Sequence, residues 1–467
     1  MSVDAAAIAR EFEGARLGDR RLEQRLVATA VALAASPEAS FPRATRTAAA
    51  LRGTYRFVNH ERITPEKILA PHRQLTRRRA HEAGVMLAIH DTTQLEFSGE
   101  DERDGLGFVR SEDDQGFSLH CTLAVAGDGT RRPLGVVAHR TWVRTEHKPK
   151  GRRGGETFAD AKRESLRWGE QVREVEDLVG GLRTIHVMDR EADAFPLLQD
   201  LTSNEWRFVV RMRQDRVVLD EFDDRDGHAS EAIAFGAWEV SMAVPISKRA
   251  QRTIPQQRRE RRDERVAKLA VKTSKIRLKP PEYMPVERRD PVELHVVHAI
   301  ELGAPDRDPL SWVLLTNEPV ATAEQVLAVL EIYRTRWLIE EFFKALKTGC
   351  AIQKRQLESY DGLANALALF LPIAWQLLLL RNLHRTEPAA PATLVLTPTQ
   401  IEVLRAQLPK LVPTSPTVDQ ALRAVAYLGG HYVKQPPGWQ TLGHGLERLL
   451  DLERGWLLAR SSPEGCG

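Results

Sequence analysis

Three carboxylates occupy positions where acidic side chains could hold a divalent metal ion. Asp91 follows the apolar run Met86–Ile89, and Asp189 follows the apolar run Ile185–Met188. A carboxylate at the end of a buried strand is fixed by the sheet while water and substrate still reach it. The third acid, Glu340, lies in a helical pattern. Mg²⁺ prefers such oxygen ligands, and two ions can clamp the attacking and leaving oxygens of a phosphodiester.

The helical pattern around Glu340 places cations and a phenol on the same face. Tyr333, Arg336, Glu340, Lys344 and Lys347 are separated by three, four, four and three positions. At about 100° per residue these side chains fall within roughly 80° of one another. An acid flanked by cations suits a site that holds metal and phosphate together. The side chains expected on the packed side are Leu330, Trp337, Leu338 and Phe342.

Each of these patterns also has a purely structural explanation. Asp is common at strand ends and in turns, so Asp91 and Asp189 taken singly favour a structural role. The helix face is equally well explained as an exposed surface with ion pairs such as Glu340–Lys344. The residue pattern by itself leaves both interpretations open.

The elements that must position these residues alternate between strand and helix from residue 85 onward, which predicts an α/β fold. Apolar runs indicate strands over residues 85–89, 117–126, 134–142, 184–188, 207–212 and 312–316. Periodicity indicates helices over residues 162–179, from about 192, over 322–347, 401–408 and 418–428.

Other regions of the chain are described by composition. Residues 1–70 have the pattern of short, arginine-rich helices, and residues 213–305 interrupt the α/β alternation with strand-like pieces. Within that interruption, residues 248–279 hold thirteen Lys or Arg against three acids. Such a block is a solvated loop or a phosphate-binding insertion, and the sequence does not favour one over the other.

The bulk composition is that of a folded protein with a large core. The chain has 467 residues and a net charge of only +3, so total charge does not indicate nucleic acid. Its three cysteines lie far apart, which argues against a disulfide framework or a zinc site and favours the cytoplasm. Residues 1–10 lack the apolar stretch of a secretory signal. The apolar run Leu363–Leu380 barely reaches spanning length, and we expect it to form a buried core helix.

The motifs together resemble the DDE transposases of the insertion-sequence-four family. Tyr333, Arg336, Glu340 and Lys347 match its signature of Tyr, Arg, Glu and Lys with two, three and six residues between them. The resemblance covers most of the chain and is weak after residue 385. Other matching blocks are 17–19, 55–57, 87–93, 189–193, 207–211 and 312–319.

The resemblance implies a catalytic site and a fold. Asp91, Asp189 and Glu340 would be a DDE triad that holds Mg²⁺, for which Mn²⁺ can substitute. The fold would be α/β, with an RNase H-like catalytic core, a β-rich insertion at about 213–305, and helical N-terminal and C-terminal regions. The implied domains are 1–70 for binding transposon-end DNA, 71–385 for catalysis, and 386–467 as a helical region that supports dimerisation.

The resemblance also implies residues that contact DNA. Phosphate contacts are implied for Tyr333, Arg336 and Lys347, with Lys344 and Arg211 as further candidates. Trp312 matches a tryptophan that stacks on a base flipped out of the duplex, although a core aromatic beside a strand is an equal explanation. Transposon-end contacts are implied for Arg21, Arg25 and Arg56.

The implied function is cut-and-paste DNA transposition by a cytoplasmic protein that associates with the nucleoid when it acts. The enzyme would cut double-stranded transposon ends through a hairpin intermediate and join them to target DNA, working as a homodimer away from any membrane. Two alternatives stay open: another RNase H-like nuclease, such as a resolvase, and a non-catalytic DNA-binding regulator of transposition.

Overall fold

A computed structural model describes residues 5–97, 99, 102–111, 114–146, 160, 163–220, 226–234, 240–246, 263–303, 309–432 and 438–461. Contacts divide the chain into two compact units. The first unit comprises Met1–Gly84, Thr92–His147 and Trp337–Gly467, and the second comprises Val85–Asp91 and Lys148–Arg336. The three domains expected from the sequence remain a prediction.

Strands and helices both contribute to the fold, which is mixed α/β as expected. The strands are β1 (Val85–Glu96), β2 (Gly107–Phe108), β3 (Gln115–Ala126), β4 (Pro133–Trp142), β5 (Arg183–Met188), β6 (Arg207–Arg211), β7 (Val217–Leu219), β8 (Asp226–His228), β9 (Val240–Ile246), β10 (Arg265–Leu278), β11 (Val292–Glu301) and β12 (Ser311–Thr316). The helices are α1 (Ala5–Arg10), α2 (Arg20–Ala35), α3 (Phe41–Thr45), α4 (Ala48–Val58), α5 (Pro65–Ala83), α6 (Leu166–Val179), α7 (Phe195–Ser203), α8 (Ala229–Ala234), α9 (Ala323–Thr335), α10 (Trp337–Lys344), α11 (Tyr360–Thr386), α12 (Pro398–Gln407), α13 (Val418–Leu428) and α14 (Trp439–Ser461).

The second unit is built on a mixed sheet. The first half of β1, β5 and β6 are parallel neighbours, and β12, β11 and β10 continue the sheet in antiparallel pairs. β7 and β9 both pair with β10, and β8 pairs with β7. Residues 184–188 of β5 are all buried, as expected for a parallel strand covered on both faces. The fully buried Trp168 of α6 and Phe195 of α7 are part of the apolar core that also contains residues of these strands.

The first unit has α11 as its central helix. An 18-residue window of α11 is apolar enough to cross a membrane, but 94% of that window is buried inside the protein. The expectation of a buried core helix is therefore confirmed. Its neighbours include α5 and β4, and the Trp375 indole donates to the Pro133 carbonyl at 3.0 Å. Cys121 and Cys350 are buried free thiols, and Cys466 lies outside the described residues.

Three expectations about local structure were wrong. β1 continues to Glu96, so Asp91 lies inside a strand rather than after it. The helix expected from residue 192 is a 3₁₀ turn at Arg190–Ala192 followed by α7, because Pro196 starts a helix well and cannot continue one. The helix expected over 322–347 is interrupted at Arg336 and ends in a π-helix, Ala345–Gly349. Part of the basic block is β10, and its residues 248–262 lie outside the described residues.

A buried ionic network ties the N-terminal segment to the core of the first unit. Glu11 accepts hydrogen bonds from Arg79 at 2.8 and 3.2 Å, and its Oε2 lies 2.6 Å from Nδ1 of His72. Nε2 of His72 accepts from the Val136 amide, so Nδ1 carries the proton that is donated to Glu11. Burial raises the pKa of Glu11, but His72 and Arg79 outweigh that effect and lower the pKa to about 2.

Replacing Glu11 should therefore destabilise the fold in a pH-dependent way. We expect Glu11→Gln to lower the free energy of unfolding at pH 7 by about 3 kcal/mol, because a buried partner of Arg79 loses its charge. The folded-state pKa is depressed, so the stabilisation is fully present above the usual pKa of 4.5 and declines as pH falls towards 2. Denaturant titrations of both proteins between pH 7 and pH 2 measure the difference.

The control for this prediction is Glu13→Gln, which changes an exposed glutamate two residues away. It should alter stability by less than about 0.5 kcal/mol. A Glu11→Gln deficit that stays constant from pH 5 to pH 2 would contradict the network as described.

Candidate active site

The parallel pairing of β1 and β5 brings two of the candidate acids together. Their register runs from Val85 opposite Arg183 to Ile89 opposite Val187. β5 ends at Met188, but the same offset continued by two positions would bring Asp91 opposite Asp189, and neighbouring strands lie about 4.8 Å apart. Both aspartates are half-buried, so they are held by the sheet and remain open to solvent. A hard divalent cation is bound by oxygen ligands, and two carboxylates would supply a pair of them.

Asp91 has an arginine as its ionic partner. Nη1 of Arg336 lies 3.2 Å from Oδ2 of Asp91, with 14% and 16% of the two side chains exposed. Arg336 follows directly on the end of α9 and has helical backbone angles. A cation beside a metal-ligating carboxylate is also well placed for a phosphate oxygen.

Asp189 and Asp193 have different roles although they lie four residues apart. Asp189 caps the 3₁₀ turn by accepting from the Glu191 amide at 2.9 Å. The Asp193 side chain is fully buried, and it accepts from the Arg213 amide at 2.7 Å and from Nη2 of Arg216 at 2.6 Å. Asp193 therefore anchors the chain that follows β6, and Asp189 is the acid that remains accessible.

An aromatic and cationic cluster lies on α9, β6 and β12 of the second unit. The Trp312 and Tyr333 rings meet edge to face, with centroids 5.6 Å apart. Burial raises the pKa of the Tyr333 phenol, which hydrogen-bonds to Arg211, and Arg211 also donates to the Ser311 carbonyl at 3.0 Å. Burial has the opposite effect on the Arg211 guanidinium, because it disfavours the charged form and so lowers the pKa. Tyr333 is only 4% exposed, so the expectation that it belongs to an open face with the lysines was wrong.

In the first unit, α10 carries Glu340 on a face with an exposed aromatic ring. Trp337 and Lys344 lie three residues before and four residues after Glu340, and Nζ of Lys344 lies 5.5 Å from the Trp337 ring centroid. Trp337 is 51% exposed, so its expected place on the packed side was wrong. Leu338 and Phe342 take that side, at 8% and 0% exposure.

The residue after Glu340 anchors this helix. Glu341 is buried at 8% exposure and accepts two hydrogen bonds from Arg385 of α11, at 2.8 and 2.9 Å. A paired carboxylate at this position fixes the rotation of α10, and the half-buried Glu340 projects about 100° away from it around the helix axis.

Lys347 lies in the π-helix that follows α10. Burial lowers the pKa of its ammonium group to about 8; the charge of Arg110 lowers it further and that of Glu96 opposes the shift. Nη1 of Arg110 lies 3.7 Å from Oε2 of Glu96. Two cations near one acid give this part of the first unit a positive potential, which suits a phosphate.

The N-terminal arginines lie on α2 and α4. Arg21 and Arg56 are exposed, and Arg25 is half-buried. Arg25 packs against α4 so closely that a Cβ at Gly53 would lie 2.5 Å from its guanidinium carbon. Glycine at position 53 therefore gives Arg25 the space it occupies.

Asp91 and Asp189 belong to the same unit, while Glu340 belongs to the other. Among the residues that the structure describes, no group of three or more His, Cys, Asp or Glu side chains is arranged to hold a metal ion. The geometry therefore supports a two-carboxylate pair, and the participation of Glu340 stays a prediction.

The sequence interpretation did not identify several residues near the candidate acids. His90, one residue before Asp91, and His186, three residues before Asp189, are fully buried and hydrogen-bonded to each other at 2.9 Å. The signal available in the sequence was a histidine at the end of one apolar run and inside the other. For Arg110, which influences Lys347 from elsewhere in the chain, no local pattern gave a signal.

Comparison with known proteins adds two family matches. Residues 4–63 match a transposase DNA-binding model, and residues 164–374 match a transposase DDE domain model. The second match includes Asp189 and Glu340 and begins after Asp91. Among solved structures, the chain is similar to the cryo-EM structure of the piggyBac transposase synaptic complex with hairpin DNA, at 9% identity and a TM-score of 0.34, covering 99% of this chain and 83% of that chain. A TM-score this low supports no conclusion about structure.

The contrast between the two aspartates of the second unit can be tested by stability. Asp193→Asn should lower the free energy of unfolding by about 3 to 5 kcal/mol, because it removes the charge that a buried Arg216 requires. Asp189→Asn should cost no more than about 1 kcal/mol, the value of a helix cap. Urea titrations in metal-free buffer compare the two variants. Equal stability of the variants would show that the assigned roles are wrong.

The environment of Lys347 predicts an unusual titration. Its rate of acetylation, followed by mass spectrometry against pH, should have a midpoint near the pKa of about 8. Arg110→Gln should raise the midpoint by removing a cation, and Glu96→Gln should lower it. Because the folded-state pKa lies below the usual 10.5, the cost that this buried ammonium group imposes on folding is fully present below pH 8, declines as pH rises from 8 towards 10.5, and is absent above 10.5. A midpoint equal to that of the urea-unfolded chain would refute the burial of this ammonium group.

Proposed function

We propose that Asp91, Asp189 and Glu340 are the catalytic carboxylates of this chain, whose DDE transposase domain and transposase DNA-binding region belong to a metal-dependent enzyme that cleaves DNA and joins the cut strands. The observation that carries the proposal is the in-register pairing of β1 and β5, which sets Asp91 beside Asp189. Glu340 joins them by the family signature and by its half-exposed position next to the anchored Glu341.

The donor set fits Mg²⁺, which takes carboxylate oxygens and keeps other positions for water and phosphate. When bound, Mg²⁺ would neutralise charge on the phosphate and activate the attacking oxygen, and Mn²⁺ can substitute for it. The mixed sheet around the aspartates supports an RNase H-like core, with the strands between residues 217 and 301 as its β-rich insertion.

The chain's own cations and aromatic rings supply the remaining parts of the proposed site. Arg336 sits at Asp91 and can hold a phosphate oxygen, while Arg211 and Tyr333 orient each other and support Trp312. Trp312 is half-buried, so one part of its ring stays open for a base. In the first unit, Lys344 and Lys347 are the proposed phosphate contacts, and the exposed ring of Trp337 offers a second stacking surface.

The reaction that we propose is cut-and-paste transposition through a hairpin. Water attacks a phosphodiester at the transposon end and frees a 3′-hydroxyl. That hydroxyl attacks the opposite strand and closes a hairpin, a second water reopens it, and the 3′-hydroxyl then displaces a 3′-oxygen in target DNA. Each step exchanges one P–O bond for another, so no covalent bond to the protein is required.

Finer assignments belong to the same proposal. The Tyr-Arg-Glu-Lys signature supports the proposal that the chain belongs to the insertion-sequence-four family and resembles the transposon-five transposase. DNA is the partner of the N-terminal region, with Arg21, Arg25 and Arg56 as its proposed end contacts. We further propose a homodimer, dimerised through residues 386–467, that acts at the nucleoid.

The triad proposal predicts a separation of binding from chemistry. Asp91→Ala, Asp189→Ala and Glu340→Ala should each reduce cleavage of a transposon-end duplex in Mg²⁺ by at least about 1,000-fold, because removing charge stabilisation at a reacting phosphate costs about 4 kcal/mol. End binding, measured by gel shift in the same salt, should change by less than about threefold.

Glu341→Gln is the matched control for Glu340, since it alters the adjacent acid that pairs with Arg385. Glu341→Gln should lower the free energy of unfolding, while the cleavage rate per folded molecule should change little. Full cleavage by any one of the three alanine variants would falsify the triad. Cleavage without joined products would instead identify a nuclease of the same fold.

A further inference from the structure

The proposed chemistry leaves unexplained a pair of buried histidines next to the aspartates. His90 of β1 and His186 of β5 are both 0% exposed. Nε2 of His90 lies 2.9 Å from Nδ1 of His186, and Nε2 of His186 lies 2.8 Å from Oε1 of Glu176 on α6. Two imidazoles and one carboxylate therefore form a hydrogen-bonded chain inside the second unit.

The hydrogen-bond pattern assigns a direction to this chain. A carboxylate only accepts, so Nε2 of His186 carries the proton that it donates to Glu176. With that proton on Nε2, Nδ1 of His186 is assigned as the acceptor, and Nε2 of His90 donates to it. Each ring is held in one tautomer. If the proton of His90 moved from Nε2 to Nδ1, the lone pairs of Nε2 of His90 and Nδ1 of His186 would face each other.

The chain lies on the face of the sheet opposite the aspartates. Side chains alternate between the two faces along a strand, so His90 and Asp91 point to opposite sides. The register sets Ala88 beside His186, which places His90 and His186 on one face and leaves Asp91 and Asp189 together on the other.

Because the hydrogen-bonded groups are buried, they restrict the movement of β1 relative to β5. A fully buried imidazole that loses its partner stays unsatisfied, so β1 and β5 cannot shift apart or slip without breaking the hydrogen bond. The residues held in this way lie one residue before Asp91 and three residues before Asp189. Metal ligands must keep their geometry to within about 0.5 Å, which is the scale of movement that such a bond prevents.

We propose that Glu176, His186 and His90 are positioning residues that set the spacing of Asp91 and Asp189 from behind the sheet, and so set the affinity of that pair for a divalent cation. This inference rests on the proposed function of the two aspartates as metal ligands. Residues that orient metal ligands without touching the metal change metal affinity by about 10- to 100-fold when mutated.

The first test measures Mn²⁺ binding to the full chain without DNA, by the electron paramagnetic resonance signal of free Mn²⁺. His186→Leu removes both hydrogen bonds and keeps the site apolar, and it should raise the Kd for Mn²⁺ by about tenfold or more. The matched control is Val175→Ala, which removes buried methyl groups from α6 beside Glu176 and leaves the hydrogen-bonded chain intact. Its Kd should stay within about twofold of wild type.

A second pair of variants separates hydrogen bonding from packing and serves if His186→Leu fails to fold. Glu176 is 17% exposed, so its substitutions are tolerated more readily than those of the histidines. Glu176→Leu should weaken Mn²⁺ binding, and Glu176→Gln should restore most of it, because the amide oxygen still accepts from Nε2 of His186. Equal Mn²⁺ affinity of Glu176→Leu and Glu176→Gln would overturn the positioning role.

Asp91→Asn distinguishes the failure of this inference from the failure of the site itself. If Asp91→Asn binds Mn²⁺ as wild type does, the aspartates are not the metal ligands and the proposed function fails with the inference. If Asp91→Asn loses binding while His186→Leu matches Val175→Ala, the metal site stands and the positioning role alone is overturned.

Discussion

The parallel pairing of β1 with β5 is the constraint on which the candidate site depends. Parallel strands require a crossover, and here the segment from β1 to β5 passes through β2, β3, β4 and α6 before the second strand is laid beside the first. The register of that single pairing decides which residues become neighbours at the strand ends. A slip by one residue would send one aspartate to the opposite face and bring a histidine into its place.

Each of two candidate carboxylates has a second acidic residue nearby in the sequence that forms a buried ion pair. Asp193 holds Arg216 near Asp189, and Glu341 holds Arg385 next to Glu340. In both cases the buried acid is fully paired and fixes the backbone, which leaves its neighbour half-exposed. Structural stability and the proposed chemistry are thereby assigned to different carboxylates a few residues apart.

Local patterns predicted the α/β alternation, the strands that carry the aspartates and the burial of the apolar helix. They did not predict the exposure of Trp337 or the burial of Tyr333, because a regular 100° period was applied across Arg336 and into a π-helix. Contacts between positions far apart in the sequence could not be predicted from local patterns either. His90 and His186 are 96 residues apart, and Glu341 and Arg385 are 44 residues apart, so no window of sequence contains both partners.

The apolar character of α11 has a consequence for how the chain is made. While it is being synthesised, this segment is as hydrophobic as a membrane span, with a mean hydropathy of 2.0 over its most apolar window. The elements that cover it include α2, α4, α5 and β4, and all of them precede it in the chain. A ribosome therefore releases the covering surfaces first. Because of this order, the apolar α11 can pack against elements that are already synthesised as it emerges, before it contacts a lipid surface or another nascent chain.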